Sequence, residues 1–120
     1  MAKTVLIVDD EADLVKVTTF RLKSLGYGVV TGTTGKEALA LIKEKRPDLV
    51  LLDLRLPEVD GIEVCKAVKA DAGLKDIPIV IFTASTNQIS EQAKEAGADG
   101  FLVKPFERDQ LTAILNKFLG

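Results

Sequence analysis

The stretch TVLIVDDE, residues 4 to 11, places four apolar residues directly before three acidic ones. The apolar part, Val5 to Val8, predicts a buried strand, because a continuous apolar run is typical of a strand covered on both faces. The adjacent carboxylates repel one another, since two unit charges about 4 Å apart interact by roughly 4 kcal/mol at an effective dielectric near 20. The stretch therefore predicts a buried strand whose acidic end needs a positive partner.

Four further apolar runs follow this one along the chain: GVVT (28–31), DLVLLDL (48–54), IPIVIFT (77–83) and GFLV (100–103). Segments with helical periodicity separate them. Apolar strands that alternate with helices indicate a parallel sheet with helices on both faces. We therefore predict an α/β fold, a single (βα)5 domain over residues 1–120 with a doubly wound, five-stranded parallel sheet. The rule of right-handed crossovers leaves several strand orders open.

Start and stop signals place the first two helices. Leu14, Leu22 and Leu25 have the spacing of an inward face, and the following glycine ends the first helix. Thr34 and Glu37 have the spacing of a capping box and open the second helix, which must stop before a proline.

Sequence signals of the same kind predict the positions of the remaining three helices. The third is expected after Gly61, the fourth from about 87 to 96, and the fifth from about Glu107. The fourth offers an inward face of mostly small groups, which predicts weak anchoring because little apolar area is buried. The residues of that face are Ile89, Ala93 and Ala96.

Composition limits the class of protein. The formal net charge is -2, from 16 basic and 18 acidic residues, so we predict no direct binding to nucleic acid. No apolar run approaches the roughly 18 residues of a membrane span, which predicts a cytoplasmic protein with no membrane partner. Histidine is absent, and the single cysteine, Cys65, is expected to pack in the core.

Polar residues end four of the predicted strands. In open parallel sheets, ligands bind outside the carboxyl ends of the strands, so these residues define the candidate site. A hard divalent cation with oxygen ligands would offset the repulsion of carboxylates there, and Mg2+ suits a small acidic set. The candidates are Asp9, Asp10, Asp53, Thr83 and Lys104.

Each candidate also has a simpler interpretation. Asp10 could cap the first helix, with Glu11 near the positive end of the helix dipole. Thr83 could be an ordinary strand residue and Lys104 a solvated lysine. Asp53 is harder to explain in this way, because it ends an apolar strand where an unpaired charge is costly.

Four short motifs, in this order and spacing, carry a resemblance to a known family: VDDE (8–11), DLRLPEVDG (53–61), TA (83–84) and KP (104–105). The chain resembles a response-regulator receiver domain of the two-component phosphorelay, similar to the chemotaxis regulators, over essentially all its length. The resemblance implies the flavodoxin-like strand order 2-1-3-4-5.

The resemblance also implies roles for the strand-end residues. Asp53 would accept a phosphoryl group from a histidine kinase or a histidine phosphotransfer protein, and Lys104 and Thr83 would contact that group. Mg2+ would be held by Asp10, Asp53 and the backbone carbonyl of Arg55, with Asp9 acting through water.

Further implied features concern neighbouring residues. Lys104 and Pro105 would be joined by a cis peptide bond, and the residues at positions 55 and 85 would tune how fast water removes the phosphoryl group. The resemblance implies assisted phosphorylation and dephosphorylation of the chain itself, rather than turnover of a separate substrate.

A switch is the last implied feature. Thr83 would move towards the phosphoryl group, and Phe101, where the family often has tyrosine, would fill the space. The face formed by the fourth helix, fifth strand and fifth helix would change, and an effector protein or output domain would bind there. The resemblance leaves open whether phosphorylation also produces a homodimer.

Three alternatives belong to other functional classes. A receiver-like docking module would work without phosphorylation. A Mg2+-dependent phosphohydrolase would need a second aspartate two residues after Asp9, where the chain has Glu11. A flavodoxin-like cofactor module would present hydroxyl and N–H groups to a phosphate, whereas the first loop of this chain presents carboxylates.

Overall fold

The computed structural model describes residues 3–56, 59–83, 88–103 and 107–120, without the side chains of 88–90. Strands and helices alternate through these residues. Their bounds are β1 Thr4–Val8, α1 Ala12–Ser24, β2 Gly28–Gly32, α2 Gly35–Lys45, β3 Leu49–Asp53, α3 Gly61–Ala70, β4 Ile79–Thr83, α4 Gln88–Glu95, β5 Gly100–Val103 and α5 Arg108–Leu119.

The strands form one parallel sheet in the order β2-β1-β3-β4-β5. This confirms the predicted (βα)5 fold and the flavodoxin-like order. Central strand β3 pairs with β1 and β4, with Leu52 opposite Val8 and Asp53 opposite Phe82. The carboxyl ends of β1 and β3 are therefore neighbours at one edge of the sheet.

The core lies in two layers, one on each face of the sheet. Along β1, Leu6 and Val8 face a layer that includes buried residues of α2, α3 and α4, whereas Val5 and Ile7 face the layer of α1 and α5. All residues of β3 and β4 are buried. The continuous apolar runs are explained by this arrangement, because both faces of each central strand are covered.

Helix α2 begins with the N-cap that its sequence predicts. The Thr34 side chain accepts a hydrogen bond from the Glu37 amide at 3.0 Å, as expected for an N-cap. The Glu37 carboxylate also accepts hydrogen bonds from the hydroxyl and the amide of Thr33 at 2.6 and 3.1 Å. The bond from the Thr33 hydroxyl is the main cause that lowers the pKa of Glu37.

The predicted inward face of α1 is wrong at one position. Leu22 is fully buried, but Leu25 is 42% exposed. Helix α1 ends at Ser24, and Leu25 lies at its C-cap with φ -89° and ψ 1°. Leu25 therefore does not continue the helical stripe towards the core.

Helix α4 has the predicted position and the predicted small inward residues. Ala93 and Ala96 are 1% and 4% exposed and belong to the core layer of α2 and α3. The side chain of Ile89 lies outside the described part. Among the described residues, no helix is long and apolar enough to cross a membrane.

Candidate metal centre at the carboxyl edge of the sheet

Three aspartates meet where β1 and β3 end. Asp9 and Asp10 follow β1 directly, and Asp53 is the last residue of β3. Each offers one carboxylate oxygen, and these three oxygens all lie within 4.8 Å of one another. The structure therefore brings together the acidic residues that the sequence predicts at this edge.

The cluster has a buried side and an open side. Asp9 is fully buried and Asp53 is 6% exposed, whereas Asp10 is exposed. Carboxylates this close repel strongly where water is partly excluded. Oxygen donors in such a set fit a hard divalent cation, and the open side leaves room for water ligands, as Mg2+ requires.

Backbone amides orient the two buried carboxylates. The Glu11 amide donates to Oδ1 of Asp9 at 2.9 Å, and the Arg55 amide donates to Oδ1 of Asp53 at 3.4 Å. Glu11 itself occupies the N-cap position of α1, so the interpretation of Asp10 as the helix cap does not hold. Asp10 instead belongs to the acidic cluster.

The start of α3 packs directly against the backbone of Asp53. The Gly61 amide donates to the Leu54 carbonyl at 2.8 Å, and a β-carbon on Gly61 would lie 2.3 Å from the Asp53 carbonyl oxygen. Asp60 caps α3 by accepting from the Glu63 amide at 3.0 Å. The sequence predicts Gly61 only as the start of a helix, because no local pattern indicates its contact with the backbone of Asp53.

Thr83 and Phe101 lie on neighbouring strands and on one face of the sheet. Phe101 pairs with Ile81 in register, and side chains two residues apart on a strand share a face, so Thr83 shares the face of Phe101. Thr83 is 6% exposed and Phe101 is 38% exposed. The predicted roles of Lys104, Pro105 and Ser85 lie outside the described residues.

Comparison with known proteins places this geometry in a family. The response regulator receiver domain family matches residues 5–116. The chain belongs to this family. Among solved structures, chemotaxis protein CheY4 of Vibrio cholerae matches this receiver domain with a TM-score of 0.91 and 34% identity, covering 98% of this chain and 99% of that one.

A second solved structure is described with a metal. The receiver domain of sensor histidine kinase PA1611 from Pseudomonas aeruginosa, with a magnesium ion coordinated in its active site cleft, has a TM-score of 0.93 and 32% identity. The alignment covers 100% of this chain and 99% of that chain.

Curated relatives are longer than this receiver domain. DNA-binding response regulator MtrA of Mycolicibacterium paratuberculosis is 41% identical over 114 residues, which cover 94% of this chain and 49% of that protein. Probable transcriptional regulator ycf27 of Guillardia theta is 41% identical over 117 residues, covering 96% of this chain and 44% of that protein. The chain thus spans about half the length of these relatives.

The prediction of no nucleic-acid partner is wrong for this group of proteins, because MtrA is named a DNA-binding response regulator. That prediction rested on the net charge of -2, which describes these 120 residues alone. The charge balance of a receiver domain reports nothing about the other half of a relative's chain. Net charge was therefore the wrong observation from which to exclude DNA as a partner.

Proposed function

We propose that residues 1–120 act as one receiver domain, a phosphorylation-dependent switch whose phosphoacceptor is Asp53. The observation that carries this proposal is the meeting of Asp9, Asp10 and Asp53, with one oxygen of each within 4.8 Å of the others. The phosphodonor would be a phosphohistidine on a cytoplasmic histidine kinase or histidine phosphotransfer protein. Residues 1–120 contain no histidine, so a phosphohistidine donor would lie outside them.

In the proposed step, a carboxylate oxygen of Asp53 attacks the phosphorus of the phosphohistidine. An O–P bond forms, the N–P bond breaks, and the imidazole leaves with the electron pair of that bond. Such a transfer depends mainly on positioning and on charge stabilisation. The Arg55 amide at 3.4 Å from Oδ1 of Asp53 helps to hold that carboxylate in a fixed orientation.

Mg2+ fits the acidic cluster by the chemistry of its donors. Asp10, Asp53 and the carbonyl of Arg55 would hold the ion, with Asp9 acting through water. Bound there, it would supply the positive charge that offsets repulsion between the carboxylates and the phosphoryl oxygens. The magnesium ion described for the PA1611 receiver domain supports this assignment.

Thr83 and Lys104 would contact the phosphoryl group once it is attached to Asp53. Thr83 ends β4, and its neighbour Phe82 pairs with Asp53 in register, so Thr83 and Asp53 lie at the same edge of the sheet, which supports this contact. A hydroxyl donor and an ammonium group are suitable partners for phosphoryl oxygens.

The output of the switch would be the α4-β5-α5 face. Movement of Thr83 towards a phosphoryl group would open space on the face that Phe101 shares, and Phe101 is 38% exposed. Its ring can therefore bury further area when it turns inward. Among the described side chains of α4 and the turn after it, those in the core are Ala93 and Ala96, which bury little apolar area against displacement of the helix.

Intact mass measures the proposed modification directly. Incubation with Mg2+ and acetyl phosphate should add one phosphoryl group to the native chain and none to Asp53→Ala. Asp76→Asn, a change of one exposed acid in the segment between α3 and β4, is the matched control and should be modified normally. Absence of any gain in the native chain would instead support the docking module that works without phosphorylation.

The partner of the α4-β5-α5 face would be an output that binds DNA, as the name of MtrA suggests. A pull-down with phosphorylated and unmodified chain compares what the face binds in each state. Capture of a transcription factor or a DNA-binding domain by the phosphorylated form supports this assignment, and equal capture by both forms contradicts it.

A further inference from the structure

Gly35, the first residue of α2, touches the backbone of the loop that joins β3 to α3. A β-carbon on Gly35 would lie 1.7 Å from the carbonyl oxygen and 2.7 Å from the carbonyl carbon of Val59. Ordinary contact between such atoms is roughly 3.5 to 4 Å. A side chain at residue 35 therefore cannot be placed unless the helix or the loop moves by more than an ångström.

The helix is the more firmly held of the two. Ala38 and Ile42 on α2 are fully buried in the core, and the Thr34 cap ties the first turn to the chain before it. Val59 is only half-buried at the rim of the same core layer. Since close-packed groups transmit displacement to their softer neighbours, the loop at Val59 would move.

A displacement of Val59 would also displace the backbone next to Asp53, because few residues separate the two. Val59 lies two residues before Gly61, whose absent side chain allows the start of α3 to rest on the Asp53 carbonyl oxygen. The Gly61 amide bonds to Leu54, and the Arg55 amide bonds to the Asp53 carboxylate at 3.4 Å, already a long hydrogen bond. A shift of the loop would lengthen this bond further.

We propose that Gly35 is a positioning residue for the acidic cluster, because its missing side chain lets α2 hold the β3–α3 loop, through Val59, against Asp53. The inference rests on the proposed function for the use of the cluster, which is to hold Mg2+ beside the phosphoacceptor. Neither Gly35 nor Val59 is expected to touch the metal or the phosphoryl group. Their effect passes through residues 59–61 and the contacts of Gly61 with the backbone of Asp53 and Leu54.

Gly35→Ala tests this directly. Backbone amide NMR of the metal-free chain should show shifts at Asp53, Leu54 and Arg55, far along the sequence from the substitution. Mg2+ affinity, measured by calorimetry because the chain has no tryptophan, should fall about 10- to 100-fold, as for other groups that orient metal ligands. Circular dichroism establishes that the variant is folded.

Two controls separate positioning from general loss of stability. Gly28→Ala makes the same chemical change at the start of β2, where a β-carbon would meet its nearest atom at an ordinary 3.5 Å. Ile42→Val weakens the packing of α2 without a clash at the loop. Both should retain native Mg2+ affinity, and a loss in Ile42→Val equal to that in Gly35→Ala would overturn the proposal.

Val59→Gly removes the side chain that packs this part of the loop against the core layer, and it serves if Gly35→Ala does not fold. It should also shift the amides of Asp53 and Arg55 and weaken Mg2+ binding. Shifts confined to the neighbours of each substituted residue, with native Mg2+ affinity, would overturn the proposal. If the native chain binds no Mg2+, the proposed function fails, while the amide shifts in the metal-free variants still decide the positioning role.

Discussion

Lys69 and Asp99 form an ion pair with a distance of 2.7 Å between Nζ and Oδ2. The Lys69 ammonium also donates to the carbonyl oxygens of Lys75 and Ile77, at 3.0 and 2.9 Å. The same oxygen of Asp99 accepts from the Ile79 amide at 2.8 Å. This network ties the end of α3 to the segments before β4 and β5, at the edge of the sheet opposite the acidic cluster.

Lys69→Met should lower the free energy of unfolding by about 1 to 3 kcal/mol, because the Asp99 carboxylate and two carbonyl groups lose a charged donor. Urea unfolding at neutral pH measures this loss. The matched control is Lys45→Met, whose ion pair with Glu44 is 3.6 Å long and has side chains 51% and 67% exposed. That exposed pair should contribute less than about 1 kcal/mol, so equal losses in the two variants would contradict the role of the network.

Cys65 should make the stability of the fold sensitive to alkaline pH. Burial raises the pKa of this thiol to about 11, whereas the unfolded chain ionises near its ordinary value of 9.0. The protonated thiol therefore contributes stability that is complete below pH 9 and is lost as pH rises towards 11. From the size of the pKa shift, the loss should be roughly 1 to 3 kcal/mol by the upper end of that range.

Cys65→Ala isolates this contribution from other groups that titrate in alkali. The stability of the native chain relative to Cys65→Ala, measured by urea unfolding at about pH 8 and about pH 10.5, should fall with pH. Native Cys65 should also resist thiol reagents at the lower pH, because it is fully buried and its Sγ lies 3.5 Å from the Ala96 carbonyl oxygen. A difference that is constant with pH would contradict the prediction.

The acidic cluster should lower the free energy of unfolding when no cation is bound. Asp10→Asn removes one of the three clustered charges, and without metal it should raise the free energy of unfolding by about 1 kcal/mol at low salt. Added Mg2+ should raise the melting temperature of the native chain and not that of Asp10→Asn. Thermal unfolding of both chains, with a chelator and with Mg2+, measures the metal-free and the metal-bound effect. Asp76→Asn should behave as the native chain does.

Helix α4 should be the least protected helix in hydrogen exchange. In its described part and the turn that follows, alanines 93 and 96 supply the core contacts, whereas α5 buries Leu111, Leu115 and Leu119. Amides that are held by less buried apolar area open more often. Exchange measured by mass spectrometry should therefore reach completion in α4 before α5, and the reverse order would contradict the weak anchoring proposed for the switch face.

Much of the fold could be predicted because its signals are local. Each strand is a continuous apolar run, and the parallel sheet follows from the alternation of such runs with helices. The strand order came from resemblance, because right-handed crossovers allow several orders. Leu25 was predicted wrongly because apolar periodicity does not say where a helix ends.

Part of the candidate site could likewise be predicted from local sequence signals, and part could not. Asp9, Asp10 and Asp53 could be predicted as a cluster, because each stands at the carboxyl end of a strand and β1 pairs with β3. The contact of Gly35 with Val59 could not, since the two residues are far apart in sequence and lie on different elements. A local sequence pattern does not indicate the distance between two backbone segments that are remote in sequence.

The sheet separates the two core layers completely along its central strands. Substitutions in the layer of α1 and α5 share few neighbours with substitutions in the layer of α2, α3 and α4, and effects of residues without shared partners add nearly independently. The buried residues of the α1 and α5 layer could therefore be repacked to raise the melting temperature, with the exposed residues of α5, which belong to the proposed output face, left unchanged. The effects of such changes on stability should sum with those of mutations in the layer of α2, α3 and α4.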